Sequence, residues 1–135
     1  MEVIEDKGKV FEPSKNFTDL IVWQKAHEFV LETYKVTRDF PMEERFALCT
    51  QFQRAAVSIP ANIAEGYKKL SKADKLRFLN ISQGSLEECR YYIILSRDLS
   101  YINNNTYNEL IRSLEETSKL LNSYIRGVLN KQFAE

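Results

Sequence analysis

Residues 107–128 read Tyr107-Asn108-Glu109-Leu110-Ile111-Arg112-Ser113-Leu114-Glu115-Glu116-Thr117-Ser118-Lys119-Leu120-Leu121-Asn122-Ser123-Tyr124-Ile125-Arg126-Gly127-Val128. Tyr107, Leu110, Ile111, Leu114, Leu121, Tyr124, Ile125 and Val128 recur mainly at steps of three, four and seven. At about 100° per residue they form one stripe on a helix. Asn103-Asn104-Asn105 supplies the preceding turn. Working back along the chain, Ser71-Lys72-Ala73-Asp74 is a capping-box-like start, and the third helix continues from it to about Leu99. A second helix is predicted from about Glu43 to Glu65 on the spacing of Leu48, Phe52, Ala55, Ala56, Ile59 and Ile63, with Gly66 placed to end it in a left-handed cap. Pro60 either bends this helix or splits it in two. A first helix starts near Phe17, capped by Thr18 or Asp19, and runs to about Arg38, where Phe40-Pro41 stops it. Four helices with short connections imply an all-α, up-down-up-down antiparallel four-helix bundle. The expected organisation is a flexible N-terminal arm (1–16), the bundle (17–130) and a C-terminal tail (131–135).

Composition agrees. Among 135 residues there are four Gly and three Pro, too few for the frequent turns of a sandwich or barrel. At 44% hydrophobic the chain can bury a core. Nineteen basic residues balance nineteen acidic ones, which excludes a strongly basic nucleic-acid binder while leaving room for a local basic patch. The densest apolar run, Tyr91 to Leu95, is far shorter than the roughly eighteen residues of a membrane span. No signal-like segment opens the chain, so a cytoplasmic location without membrane association is expected. Cys49 and Cys89, without a CxxC pattern, read as reduced, buried thiols.

Catalytic chemistry finds no footing. His27 is the single histidine, and Gln24 stands where a Glu-x-x-His di-iron motif would need its carboxylate. It reads as a packing residue beside Trp23 and Tyr34. No phosphate loop, serine elbow or Cys-His pair can be assembled, so no catalytic residue, metal or cofactor is expected.

Surplus apolar residues and two polar clusters remain. On the first helix Leu20, Trp23, Val30, Leu31 and Tyr34 form one stripe, and Val22, Phe29 and Val36 lie around the cylinder from it. The third helix points Phe78, Leu79, Ser82, Ser85, Leu86, Cys89, Tyr92, Ile93 and Leu99 one way and Tyr91, Ile94 and Leu95 another. Val22, Phe29, Val36, Tyr91, Ile94 and Leu95 are therefore the expected oligomer contact, since monomers seldom expose large apolar patches. The alternative is that Val10 and Phe11 of the arm cover this surface. Gln51, Arg54, Ser58, Asn62 and Glu65 share one polar face of the second helix and suit a subunit or partner contact, or simple solvation. Arg54, Lys68, Lys69, Lys72, Lys75 and Arg77 are candidate phosphate contacts, against the plainer reading of a solvated charge run.

The stretch Phe17 to Ala26, the pattern Ser58-Ile59-Pro60-Ala61-Asn62-Ile63-Ala64-Glu65-Gly66 following Arg54-Ala55-Ala56-Val57, and Gly84-Ser85-Leu86 resemble the four-helix-bundle or S23 ribosomal protein family. Its members include proteins encoded by intervening sequences within bacterial 23S ribosomal RNA genes. The resemblance, over about Phe17 to Val128, implies an up-down bundle, homopentamers, and in related bundles binding of nucleic acid and of a reverse transcriptase. Gln53 and Asn80 stand where members often carry basic residues. Two functional readings follow, both non-enzymatic: a homo-oligomer that binds structured RNA through its basic patch, and an adaptor that docks a protein partner.

Overall fold

The computed structural model describes residues 15–131 and, ahead of them, the backbone of two short antiparallel strands, Glu5–Asp6 and Lys9–Val10. Most of the expected arm, its Val10 and Phe11 side chains, and the tail beyond Lys131 lie outside the described residues. Four helices make up the body: α1 (Ile21–Thr37), α2 (Leu48–Lys68), α3 (Lys72–Asp98) and α4 (Asn104–Asn130). Each packs on its neighbour in sequence, and α1 closes the ring against α4, so α1 lies diagonal to α3 and α2 to α4. The chain is an all-α, up-down-up-down bundle.

The helix starts follow local chemistry. Ser71 accepts a hydrogen bond from the Asp74 amide at 3.2 Å, and Asn103 accepts one from the Thr106 amide at 2.8 Å. Each side chain satisfies an N–H that the first helical turn leaves unpaired. The entry to α1 differs from expectation. Asn16 caps a 3-10 turn at Phe17–Asp19, and extended Leu20 then precedes α1 without a side-chain cap. Residues 42–44 also form only a 3-10 turn, so α2 begins at Leu48, five residues later than predicted.

Pro60 lies buried within a continuous α2, so the two-helix alternative is dismissed. Gly66 does not end that helix. It is buried inside α2, where an added Cβ would stand 3.2 Å from Phe78 Cβ and 3.3 Å from the Lys75 carbonyl. Close approach of α3 explains glycine here, and extended Lys69 ends the helix instead.

The core runs the length of the bundle, with Ala26, Phe29, Phe52, Ala56, Ile59, Ile63, Cys89, Ile93, Leu114 and Thr117 almost wholly shielded. The α4 stripe is as predicted, with Leu110, Leu114, Leu121 and Val128 buried and Tyr107, Ile111, Tyr124 and Ile125 packed at its margins. At one end Phe40 packs on Tyr101, whose hydroxyl donates to Glu44 at 2.7 Å and ties the α3–α4 loop to the α1–α2 connection. This hydrogen bond raises the Tyr101 pKa by favouring the neutral phenol. Leu99, expected in the α3 core face, is instead exposed at the helix end, and Ile102 is buried just beyond it.

Candidate interaction surfaces

The polar face predicted on α2 divides in two. Ser58 and Asn62 turn towards the α2–α3 contact: Ser85 Oγ donates to Ser58 Oγ at 2.7 Å, while Asn62 Nδ2 donates to the Ser58 carbonyl at 2.8 Å and to its hydroxyl at 3.0 Å. Buried Ser82 donates to the Ile59 carbonyl at 2.9 Å. Small hydroxyl side chains let the helices approach, and the hydrogen bonds satisfy polar groups that packing removes from water. The Ser-Ile-Pro-x-Asn-Ile-Ala-Glu-Gly pattern is thus largely the α2 half of a helix–helix joint. Gln51, Arg54 and Glu65 remain exposed on the outside of α2.

Burial corrects the predicted oligomer contact. Val22 and Phe29 are 2% and 0% exposed and belong to the core. Of the stripe expected to face the bundle, Leu20 and Val30 are buried and Trp23 is half-buried, while Leu31 and Tyr34 are exposed; α1 buries Val22, Ala26, Phe29, Val30, Thr33 and Thr37, because α2 and α4 close on that side. Val36 and Leu95 are half-buried against the core, Ile94 is half-buried, and Tyr91 is exposed.

Two apolar surfaces stand outside. The first lies along the α1–α2 seam, where Tyr34 is 44% and Val57 41% exposed beside half-buried Trp23, with Leu31, 57% exposed, further round the outside of α1. Gln53 Nε2 donates to Thr37 Oγ1 at 3.0 Å across this seam, and Val57 follows Gln53 by one turn on the same side. His27 is exposed rather than packed, stacked on Trp23 with ring centres 5.0 Å apart. The second surface is the outer stripe of α3: Ile81, Gly84, Glu88, Tyr91 and Leu95, at alternating steps of three and four.

The basic cluster is not brought together as a whole: Lys68, Lys69 and Lys75 line one groove, and Lys72 does not. Lys72 Nζ donates to the Leu129 carbonyl at 3.0 Å, and Lys75 Nζ donates to the Tyr67 carbonyl at 2.8 Å. These ammoniums satisfy carbonyls at the C-terminal ends of α4 and α2, where the helix dipole favours positive charge. Lys69 pairs with Glu65 at 3.4 Å, and Arg77 lies 3.8 Å from Asp74. Arg54 stands apart on the outside of α2. What the cluster contributes to is a groove of about 690 Å³ at the end of the bundle where α1 begins and α2 and α4 finish, lined by Lys15, Lys68, Lys69, Lys75 and Lys131 with Tyr67 and Tyr124. Lys15 and Lys131 had not been singled out, because only the folded chain brings them beside Lys68. A second groove, about 790 Å³, follows the α1–α4 seam towards the opposite end and is predominantly acidic.

Among the described residues no group of three or more His, Cys, Asp or Glu side chains is placed to hold a metal ion, and no helix is long and apolar enough to cross a membrane. Both cysteines are buried and unpaired, and burial pushes their thiol pKa values up.

A bundle with these joints matches the model of the 23S rRNA-intervening sequence proteins over residues 18–123. The chain belongs to that family. It is also similar to a protein of unknown function from the S23 ribosomal protein family of Bacteroides thetaiotaomicron, known from a crystal structure. The two are 30% identical, superpose with a TM-score of 0.74, and the similarity covers 80% of this chain and 97% of the other. No curated protein matches the chain. The 23S rRNA-intervening sequence family is one of unknown function, so what its members' folds do must be argued from their surfaces.

Proposed function

We propose that this member of the family is a non-enzymatic module that works as a homo-oligomer. The supporting observation is the pair of exposed apolar surfaces flanking α2, on the α1–α2 seam and on the outer stripe of α3. Two different surfaces on one chain suit a heterologous contact, in which the α3 stripe of one copy rests on the α1–α2 seam of the next. Such contacts close into rings when the rotation permits. A pentameric ring is the form that the resemblance implies. Gly84 supports the same reading: an added Cβ there meets nothing within 4 Å inside the chain, yet glycine within a helix costs up to about 1 kcal/mol relative to alanine. A neighbouring copy passing close to α3 gives that glycine a role. Gln51, Arg54 and Glu65, exposed between the surfaces, set the register of the contact.

Light scattering at micromolar concentration tests this. The wild type is expected at a multiple of the 15.8 kDa chain mass, with Leu31→Glu and Tyr91→Glu each lowering it; a monomeric wild type would refute the reading. Binding of structured RNA through the basic residues is less favoured, since Lys69, Lys72, Lys75 and Arg77 already have partners within the chain. RNA binding that weakens with salt and is lost in Lys68→Glu would reinstate it. The adaptor reading predicts a protein partner whose capture fails with Tyr91→Glu while the oligomer persists.

A further inference from the structure

The outer stripe of α3 is not wholly apolar. Glu88 stands at its centre, one turn from Gly84 and one from Tyr91, with Ile81 and Leu95 beyond them. It is exposed and, among the described residues, forms no ion pair. Its charge is felt nearby: burial first, then Glu88, raise the pKa values of Tyr92 and Cys89. A carboxylate carried into an apolar contact without a cation opposes that contact, because desolvating an unpaired charge is costly. Whatever covers this stripe has to bring a positive side chain to its centre.

The α1–α2 side offers few permanent cations. Lys25 lies 3.5 Å from Glu28, and Lys35 lines the groove between α1 and α4. Arg38 follows the last residue of α1 and Lys68 closes α2, where the helix dipoles favour both charges. Arg54 has no such local reason. It is exposed in the interior of α2, one turn before Val57 of the apolar seam, and among the described residues it forms no ion pair. Arg54 precedes Ser58 by four residues and Glu88 follows Ser85 by three, so both stand about one turn to the same side of the Ser58–Ser85 hydrogen bond. No ion pair joins them within the chain.

We propose that Arg54 of each copy pairs with Glu88 of the next, an ion pair enclosed as the α3 stripe settles on the α1–α2 seam. This pairing rests on the head-to-tail contact proposed above and supplies the partner of its charged centre. A guanidinium suits the place, since it offers two parallel N–H donors to one carboxylate. Apolar surfaces tolerate several registers, whereas a single enclosed ion pair admits one.

Sedimentation velocity of charge-reversed variants at micromolar concentration tests the pairing. Arg54→Glu and Glu88→Arg each set like charges against one another and are expected to weaken association by at least about tenfold. Combined in one chain they restore opposite charges and are expected to recover the wild-type mass. If a reversed variant unfolds by circular dichroism, Arg54→Gln and Glu88→Gln serve instead, each weakening association, with the two together less damaging than either alone. On the monomeric Leu31→Glu background the effects of the two reversals on urea unfolding are expected to add. A double variant more stable than that sum places the pair inside one chain and overturns the proposal. So does a lowered mass without recovery in the double variant, or rescue of Glu88→Arg by Arg38→Glu instead of Arg54→Glu. An oligomeric wild type whose mass neither reversal lowers overturns the ion pair and leaves the assembly standing; a monomeric wild type removes the assembly and the pair with it.

Discussion

Ser100 holds a left-handed backbone, φ 62°, directly after the C-cap of α3. The Tyr101 amide donates to the Ser96 carbonyl and the Ser100 amide to the Arg97 carbonyl, both at 2.9 Å. These two bonds make a Schellman ending, whose left-handed position is usually glycine because a Cβ crowds the backbone there. Ser100→Gly is expected to stabilise the chain by about 0.5–1 kcal/mol, seen as a rise in thermal midpoint. Arg90 links α3 to α4, its guanidinium donating to both Glu115 carboxylate oxygens at 3.0 and 3.1 Å and to Glu87 at 3.0 Å. Hydrogen bonding to Arg90 holds the Glu115 carboxyl below its ordinary 4.5. A lowered folded pKa means the contribution is present above the unfolded value and is lost as pH falls through the folded one. Wild type should therefore lose more stability than Arg90→Ala between about pH 5 and pH 3, by less than about 1 kcal/mol since the pair is half-exposed; chemical denaturation at both pH values measures the difference. Residues acting on their immediate neighbours were legible in advance: Ser71 caps α3 as its spacing indicated, and the turn expected at Asn103-Asn104-Asn105 falls where Asn103 caps α4. Gly66 was not, because its reason is Phe78 on another helix, and one chain segment cannot show what crosses it.

Between elements the same limit is sharper. The α4 stripe could be read because its apolar residues occupy one side only. α1 carries apolar residues around more than half its circumference, so either stripe could have faced inwards, and only the positions of α2 and α4 decide. Phe29 then enters the core and Tyr34 stays out. The late start of α2 has a local cause that periodicity missed: the Leu48 amide donates to Glu44 Oε1 at 3.3 Å, so a side chain from the preceding 3-10 turn serves the first turn of the helix. The α2–α3 joint predicts opposite signs for one substitution at two glycines. Gly66→Ala presses a methyl against Phe78 and the Lys75 carbonyl, and is expected to lower stability by about 1 kcal/mol after the helix-propensity gain. Gly84→Ala meets open space within the chain and should raise the stability of the dissociated chain by about 0.5–1 kcal/mol, while weakening assembly if a neighbour passes there. Urea titrations of the two variants on a Leu31→Glu background read both effects without the oligomer.

For the molecule as a whole, the balance of nineteen positive and nineteen negative residues conceals separation: one end of the α1–α4 seam is basic and the stretch beyond it acidic. Composition could report only the sum, since the lysine groove joins residues from both ends of the described chain with residues from its middle. Assembly makes a further prediction at this scale. A protein that unfolds from an oligomer gains stability by mass action, so the thermal midpoint should rise with protein concentration for wild type and stay constant for a monomeric Leu31→Glu variant. A midpoint independent of concentration in both would argue against the apolar contact.

An even number of antiparallel helices returns the chain to where it began, and Lys15 and Lys131 line the same groove. Order along the chain and arrangement in space are therefore separable in this fold. A short linker joining Lys15 to Lys131, with a new opening at exposed Leu70 in the α2–α3 turn, would produce a circular permutant with the same four helices in the same ring.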